Sequence, residues 1–156
     1  MTLNIDQGLQ SKAGFRGLRV AAKIVESSLI TSFHLEEADG SALPAFRPGQ
    51  FLVFKIPSGD LKGYVLRNYS LSGSPDDHCH YRISVKREPS AGPGLPVGQS
   101  SNYLHDNVCV GDVLIADGPR GEFVLDEVSD RPVVLLSGGV GLTPMVAMLH
   151  ALAKRS

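Results

Sequence analysis

Short segments that alternate apolar and polar residues, separated by Gly/Pro turns, run from Leu18 to Leu125 and constrain this chain more than any other feature. Leu18, Val20, Ala22 and Ile24 alternate with Arg19, Ala21, Lys23 and Val25, and Phe33 and Leu35 flank a solvated His34. Phe51-Leu52-Val53-Phe54-Lys55-Ile56, Gly63 to Ser72 and His80 to Glu88 continue the series, with Tyr81, Ile83 and Val85 on one face. A period of two puts successive side chains on opposite faces of a half-buried strand. Arg47-Pro48-Gly49-Gln50, Pro57 to Asp60, Gly73 to Asp77, Gly111-Asp112 and Gly118 to Gly121 are the turns between them. Such a pattern predicts an antiparallel barrel or sandwich.

The charge balance narrows the function classes. Fifteen Lys and Arg against 16 Asp and Glu leave a net charge of −1, and no block of like charge stands out, which argues against wholesale binding to nucleic acid or an anionic membrane. The longest apolar stretch, Pro132 to Leu136, is far short of a membrane span, and Met1 to Gly14 has no signal-peptide pattern. A cytoplasmic protein with a loose lead-in over residues 1–16 is expected. Cys79 and Cys109 form no CxxC, and the middle residue of His78-Cys79-His80 would point away from its neighbours on a strand, so no metal site is expected.

Arg67-Asn68-Tyr69-Ser70 sits between two of the alternating segments. A guanidinium for phosphate, a flat phenol and a hydroxyl within four residues suit a planar ring with a phosphate tail. Strict alternation would send Arg67 and Tyr69 to one face and Ser70 to the other, so a shared ligand must lie across a twisted strand end. Further on, the Gly/Pro-rich run from Glu88 to Gly98 leads into Ser100-Ser101-Asn102-Tyr103-Leu104. Ser100 or Ser101 as an N-cap predicts a short helix whose first turn offers N–H groups to phosphate.

The character changes after Asp126. Pro132 to Ser137 is apolar on both faces, as in a buried parallel strand. Gly138-Gly139-Val140-Gly141-Leu142-Thr143-Pro144 follows, and Met145, Met148, Leu149 and Leu152 then recur at helical spacing. A strand, glycine turn and helix open a nucleotide-binding α/β unit, and its glycines would let backbone approach a pyrophosphate or nicotinamide. Two domains are expected, at 17–128 and, as an incomplete unit, at 129–156. The lone strand predicts a tail that packs on the first domain, pairs with another chain in self-association, or is mobile.

Four motifs in this order resemble the flavin reductase module of the ferredoxin reductase superfamily, and most closely the reductase part of flavohaemoglobins. They are Pro48-Gly49-Gln50-Phe51, Arg67-Asn68-Tyr69-Ser70, Ile83 to Glu88 with Ser101-Asn102-Tyr103-Leu104-His105, and Ser137 to Met145. The resemblance implies a mainly β fold, a six-stranded antiparallel Greek-key barrel with a short helix that holds FAD, followed by the first β-α unit of a doubly wound NADH- or NADPH-binding domain. It implies that Arg67 pairs with FAD phosphates beside Asn68, Tyr69 stacks on the isoalloxazine and Ser70 bonds near flavin N5. Phe51 would keep the ring of a flavin-contacting tyrosine without its hydroxyl. Lys86, Arg87 and Glu88 would lie beside the cofactor, Gly98, Gln99, Ser100 and Ser101 would cap the pyrophosphate, and Gly138, Gly139, Val140, Gly141, Leu142 and Thr143 would form the nicotinamide-nucleotide turn.

The implied activity takes a hydride from NAD(P)H at N5 and passes electrons to a haem or iron–sulfur partner. The strands that would complete the nicotinamide site are absent, so complete catalysis by this chain alone is not expected. Two other readings compete: a flavin-binding electron-transfer or sensing module without a nicotinamide site, and a cofactor-free interaction domain.

Overall fold

A computed structural model describes residues 14–59, 61–90, 92 and 98–155, so most of the expected lead-in lies outside the described residues. Six strands form one antiparallel sheet: β1 (Arg16–Val25), β2 (Ile30–Glu37), β3 (Phe51–Pro57), β4 (Tyr64–Ser70), β5 (Tyr81–Lys86) and β6 (Val113–Arg120). Helix α1 (Gln99–Asn107) stands between β5 and β6, and α2 (Leu142–Arg155) ends the chain. The strand order β4-β3-β6-β1-β2-β5 inserts β6 between two hairpins, a Greek-key arrangement. The sheet curls until its edge strands meet, but Leu71↔Ile83 is the bridge between those edges, and no ladder closes the seam.

Alternation positions the core as the pattern requires. Leu52, Phe54 and Ile56 of β3 and Tyr81, Ile83 and Val85 of β5 are buried inside the curl. One expectation is corrected: the face of Leu18 and Val20 does not continue through Ala22 and Ile24. The β1–β2 register slips between Val20 and Ala22, and a bulge reverses which side chains face inward, leaving Ile24 44% exposed. A polar network ties β1 to β2 and β6, with Arg16 Nε bonded to Glu37 Oε1 at 2.6 Å and Arg16 Nη1 donating to Gly118 O at 2.7 Å. Leu104 and Val108 of the α1 region join the buried core.

The C-terminal segment differs from the expected β-α unit. Residues 132–137 have no ladder partner among the described residues, and Val134 and Leu136 are 78% and 81% exposed. An apolar run becomes a buried strand only where neighbours bond its backbone on both sides, and none does here. Helix α2 does form, and it packs against the Gly49 turn and the segment around Leu125. Ala147 joins the main core, while Met148 and Ala151 cluster with Leu125. Leu149, expected in the apolar stripe, faces outward. The turn at Gly49 explains the fit. Its φ is +108°, and a Cβ there would lie 2.1 Å from Phe123 O and 2.8 Å from Met148 Cε, so only glycine lets the Leu125 segment and α2 approach.

His34 packs edge-on against His80 at 6.0 Å, next to Asp77. Burial, then the Arg82 charge, lowers the His34 pKa from its usual 6.5. Burial alone would raise Asp77, but N–H groups of His80 and Cys79 outweigh it and lower its carboxyl below the ordinary range. Both shifts act in the same direction on stability. Below pH 6.5 the unfolded chain takes up a proton at His34 more readily than the folded one, and in stronger acid Asp77 adds a second loss as pH falls through its lowered value. The urea midpoint should therefore fall between pH 7.5 and pH 5.5, on either side of that histidine value, and His34→Gln should flatten the fall. An equally steep fall in the variant would assign it elsewhere.

Candidate functional site

The open seam between β4 and β5 is the candidate site. Beyond the Leu71↔Ile83 bridge the two edge strands diverge, and a cavity of about 460 Å³ fills the gap. Arg67, Asn68, Tyr69 and Ser70 line it from β4, and Ser84 and Lys86 from β5. Glu88 lines it from just after β5, Gly98 to Ser101 from the start of α1, and Val140, Gly141, Thr143 and Pro144 from the glycine turn and the first residues of α2. An edge strand borders an opening with both its faces, so Arg67, Tyr69 and Ser70 reach one space although alternation separates them. The tension in the sequence pattern is resolved by the seam.

Each wall has a distinct chemistry. Tyr69 packs edge-on against Phe54 at 5.8 Å, and burial pushes its phenol up to about 12 while the Arg67 charge opposes that. It therefore remains a neutral ring with a donor hydroxyl. Arg67 is exposed, and its Nη1 donates to Leu66 O at 2.8 Å. Lys86 Nζ stands 3.3 Å from Glu88 Oε1, two residues along the same segment.

Helix α1 turns its N-terminus to this cavity. Its N-cap is Gly98, extended at φ −61° and ψ 99° with no side-chain cap, which corrects the expected Ser100 or Ser101. A residue with Cβ is poorly accommodated at Gly98, because that atom would lie 2.6 Å from Glu88 Cβ. The serines instead lie in the first turn. Ser101 Oγ accepts from Glu88 N at 3.1 Å and donates to Gly98 O at 3.2 Å. Ser100 is only 6% exposed, and its Oγ has no hydrogen-bond partner. First-turn N–H groups with no acid in that turn, beside a hydroxyl with an unmet hydrogen bond, have the chemistry that suits anionic oxygens.

Five expected residues stand apart from the lining: Phe51, Arg87, Gly138, Gly139 and Leu142. Phe51 pairs with Ser70 and Arg120, and its ring lies against Gly121. Arg87 turns to the flank of α1, where Nη1 bonds Asn102 Oδ1 at 2.8 Å and its fork holds both Asp106 oxygens at 2.9 and 2.5 Å. A short strand sends neighbours to opposite sides, which is why Lys86 enters the cavity and Arg87 does not. Ser84 and Pro144 were missed. Ser84 was findable, since Tyr81, Ile83 and Val85 point inward and leave Ser84 on the Lys86 face.

The residues fit a dinucleotide, with two cations, the orphan donor and helix N–H groups for phosphates and an aromatic wall for a ring. Among the described residues there is no cluster of three or more His, Cys, Asp or Glu that could hold a metal. No helix there is long and apolar enough to cross a membrane.

Comparison with known proteins agrees with this geometry. A family model described as the oxidoreductase FAD-binding domain matches residues 17–125. The chain is 51% identical over 143 residues to a flavohemoprotein of Chromobacterium violaceum, covering 92% of this chain and 35% of that protein. The chain thus spans about a third of the length of the curated relatives it matches. Among solved structures, it is similar to the flavohem-like FAD/NAD binding domain of nitric oxide dioxygenase from Vibrio cholerae, with TM-score 0.78 and 44% identity over 90% of this chain and 57% of that one. It is also similar to phthalate dioxygenase reductase, a modular structure for electron transfer from pyridine nucleotides to [2Fe-2S], with TM-score 0.76 and 32% identity over 92% and 41% of the two chains.

Proposed function

The chain belongs to the oxidoreductase FAD-binding domain family, and we propose that the β4–β5 seam holds FAD so that electrons from a pyridine nucleotide reach a haem or iron–sulfur acceptor. The observation that carries this is the start of α1, with the buried, unpartnered Ser100 hydroxyl in its first turn, lining one cavity together with Arg67 and Tyr69. Arg67 and the first turn of α1 hold the pyrophosphate, Tyr69 lies along the ring and Ser70 bonds near N5. Charge-assisted contacts of this kind are stronger than neutral ones. Bound FAD supplies hydride acceptance and single-electron release, and the protein supplies position and electrostatics.

The glycine turn contributes Val140, Gly141 and Thr143 to the same cavity, where the nicotinamide of NADH or NADPH would approach the ring. The relatives motivate the acceptor: one is named for haem, and the other carries electrons to [2Fe-2S].

A titration of the full chain with FAD, followed by flavin absorbance and tyrosine quenching, tests the central claim. Saturable binding supports it, and no binding defeats it in favour of a cofactor-free interaction domain. Anaerobic NADH or NADPH then separates a reductase, whose flavin absorbance bleaches, from a module without a nicotinamide site, whose flavin bleaches only under photoreduction. The second reading is motivated by residues 132–137, which lack the ladder partners of a complete nucleotide domain.

Ser100→Ala offers a sharper check on the phosphate wall. Removing an unpartnered buried hydroxyl should leave apo stability unchanged or raised by up to about 1 kcal/mol, while FAD binding weakens roughly 2- to 12-fold. Loss of apo stability with unchanged FAD affinity would show that Ser100 serves the fold rather than the ligand.

A further inference from the structure

The helix that faces the cavity is tethered at its far end by a side chain that the β1 bulge has turned around. Val20 lies opposite Leu35, and both are buried. After the register slip, Lys23 lies opposite the fully buried Phe33 and so shares its inward face. From there Lys23 Nζ donates to both His105 O and Val108 O at 2.7 Å, and it lies 5.7 Å from the Phe33 ring centroid. Those carbonyls are at the C-terminal end of α1, whose last turn contains one basic residue, His105. The His105 ring is itself engaged, 2.9 Å from Val85 O and 3.2 Å from Thr31 Oγ1. The ammonium that caps this helix therefore comes from β1, across the end of the curled sheet.

Helix C-terminal carbonyls lack intrahelical partners and carry negative partial charge, so a cation there satisfies both needs. A helix of nine residues is about 13 Å long, and hydrogen bonds along its axis make it a stiff strut. Whatever fixes one end therefore sets the place of the other.

We propose that Lys23 is a positioning residue for the cofactor's phosphates: by holding the C-terminal carbonyls of α1 it sets where the first-turn N–H groups and Ser100 Oγ stand in the cavity. This rests on the FAD reading above. The bulge creates the contact, because without it the parity of β1 would carry Lys23 to the outer face. Tyr69 and Ser70 belong to β4, whose backbone is bonded to β3 rather than to α1, so the ring-binding wall depends on this tether less directly than the phosphate wall does.

FAD, ADP and riboflavin are titrated into the full chain and into Lys23→Met and Lys23→Arg, with a urea midpoint measured on each. Lys23→Met keeps the aliphatic stem over Phe33 and should weaken FAD and ADP on the order of 5- to 10-fold, with riboflavin unchanged and Lys23→Arg restoring most of the loss. A general structural role would lower all three affinities with the midpoint. The proposal is overturned if Lys23→Met binds all three ligands like the parent, or loses riboflavin as much as ADP. Should Lys23→Met fail to fold, Lys23→Gln, which keeps one donor without the charge, is measured against the same outcomes. A parent chain that binds no FAD would overturn the underlying FAD reading, and this proposal with it.

Discussion

Replacing Arg67 by alanine should weaken FAD binding roughly 10- to 150-fold while changing apo stability by less than about 0.5 kcal/mol. The two halves of that result have separate causes. Arg67 is exposed on an edge strand, and its guanidinium donates to the neighbouring Leu66 O, so truncation leaves no buried charge unpaired. Toward a pyrophosphate, the same fork supplies charge-assisted, paired bonds in a partly enclosed cavity. Arg67→Lys should fall between parent and alanine variant, since it keeps charge and loses the fork. Equal affinities for parent and Arg67→Ala in a calorimetric titration would remove Arg67 from the site.

Phe54→Ala should destabilise the protein by about 3–5 kcal/mol, a large part of a typical domain's stability. Phe54 is fully buried, paired across β3 to Arg67 on one side and Ala116 on the other. Its ring also backs Tyr69 edge-on at 5.8 Å, so truncation empties the core directly behind the cavity wall. Phe54→Leu, closer in volume, should cost less than about 1.5–2 kcal/mol and keep FAD binding. Urea unfolding at pH 7.5 measures both. A cost below about 1 kcal/mol for the alanine variant would mean that neighbouring side chains collapse into the space.

These two positions also show the limits of reading the chain as a string. Phe54 was legible as a strand residue, since Phe51 to Ile56 reads as a strand, but with Phe51 and Val53 equally apolar its place on the inner face is settled by the structure. Arg67 was legible as chemistry, a guanidinium beside a ring and a hydroxyl, but its access to the same space as Ser70 was not. That access depends on β4 being an edge strand beside an unclosed seam, a property of strand order. Arg87 shows the converse: three charged residues in a row suggested one shared site, and the pleat sent the middle one to Asn102 and Asp106 on the flank of α1. The expected strand at Pro132 to Ser137 carried the right apolar signal, but hydrogen-bonding neighbours decide whether such a run is a strand, and sequence pattern does not supply them.

From the sequence alone came most of the period-two core, the turns up to Gly111-Asp112, a short helix after the Gly/Pro-rich run and the set of side chains suited to a flavin nucleotide, because each follows from spacing and local chemistry; the N-cap at Gly98 and the continuation of β6 through Gly118 to Arg120, where a turn was expected, came from the structure. The tertiary structure decided the seam, the orphan Ser100 hydroxyl, the docking of α2 against the Gly49 turn and the Leu125 segment, and the reach of Lys23 to α1. Each of these depends on two segments distant in the chain meeting at a particular register. A single bulged residue at Ala21 reverses that register for the rest of β1 without leaving a mark in the apolar pattern strong enough to read.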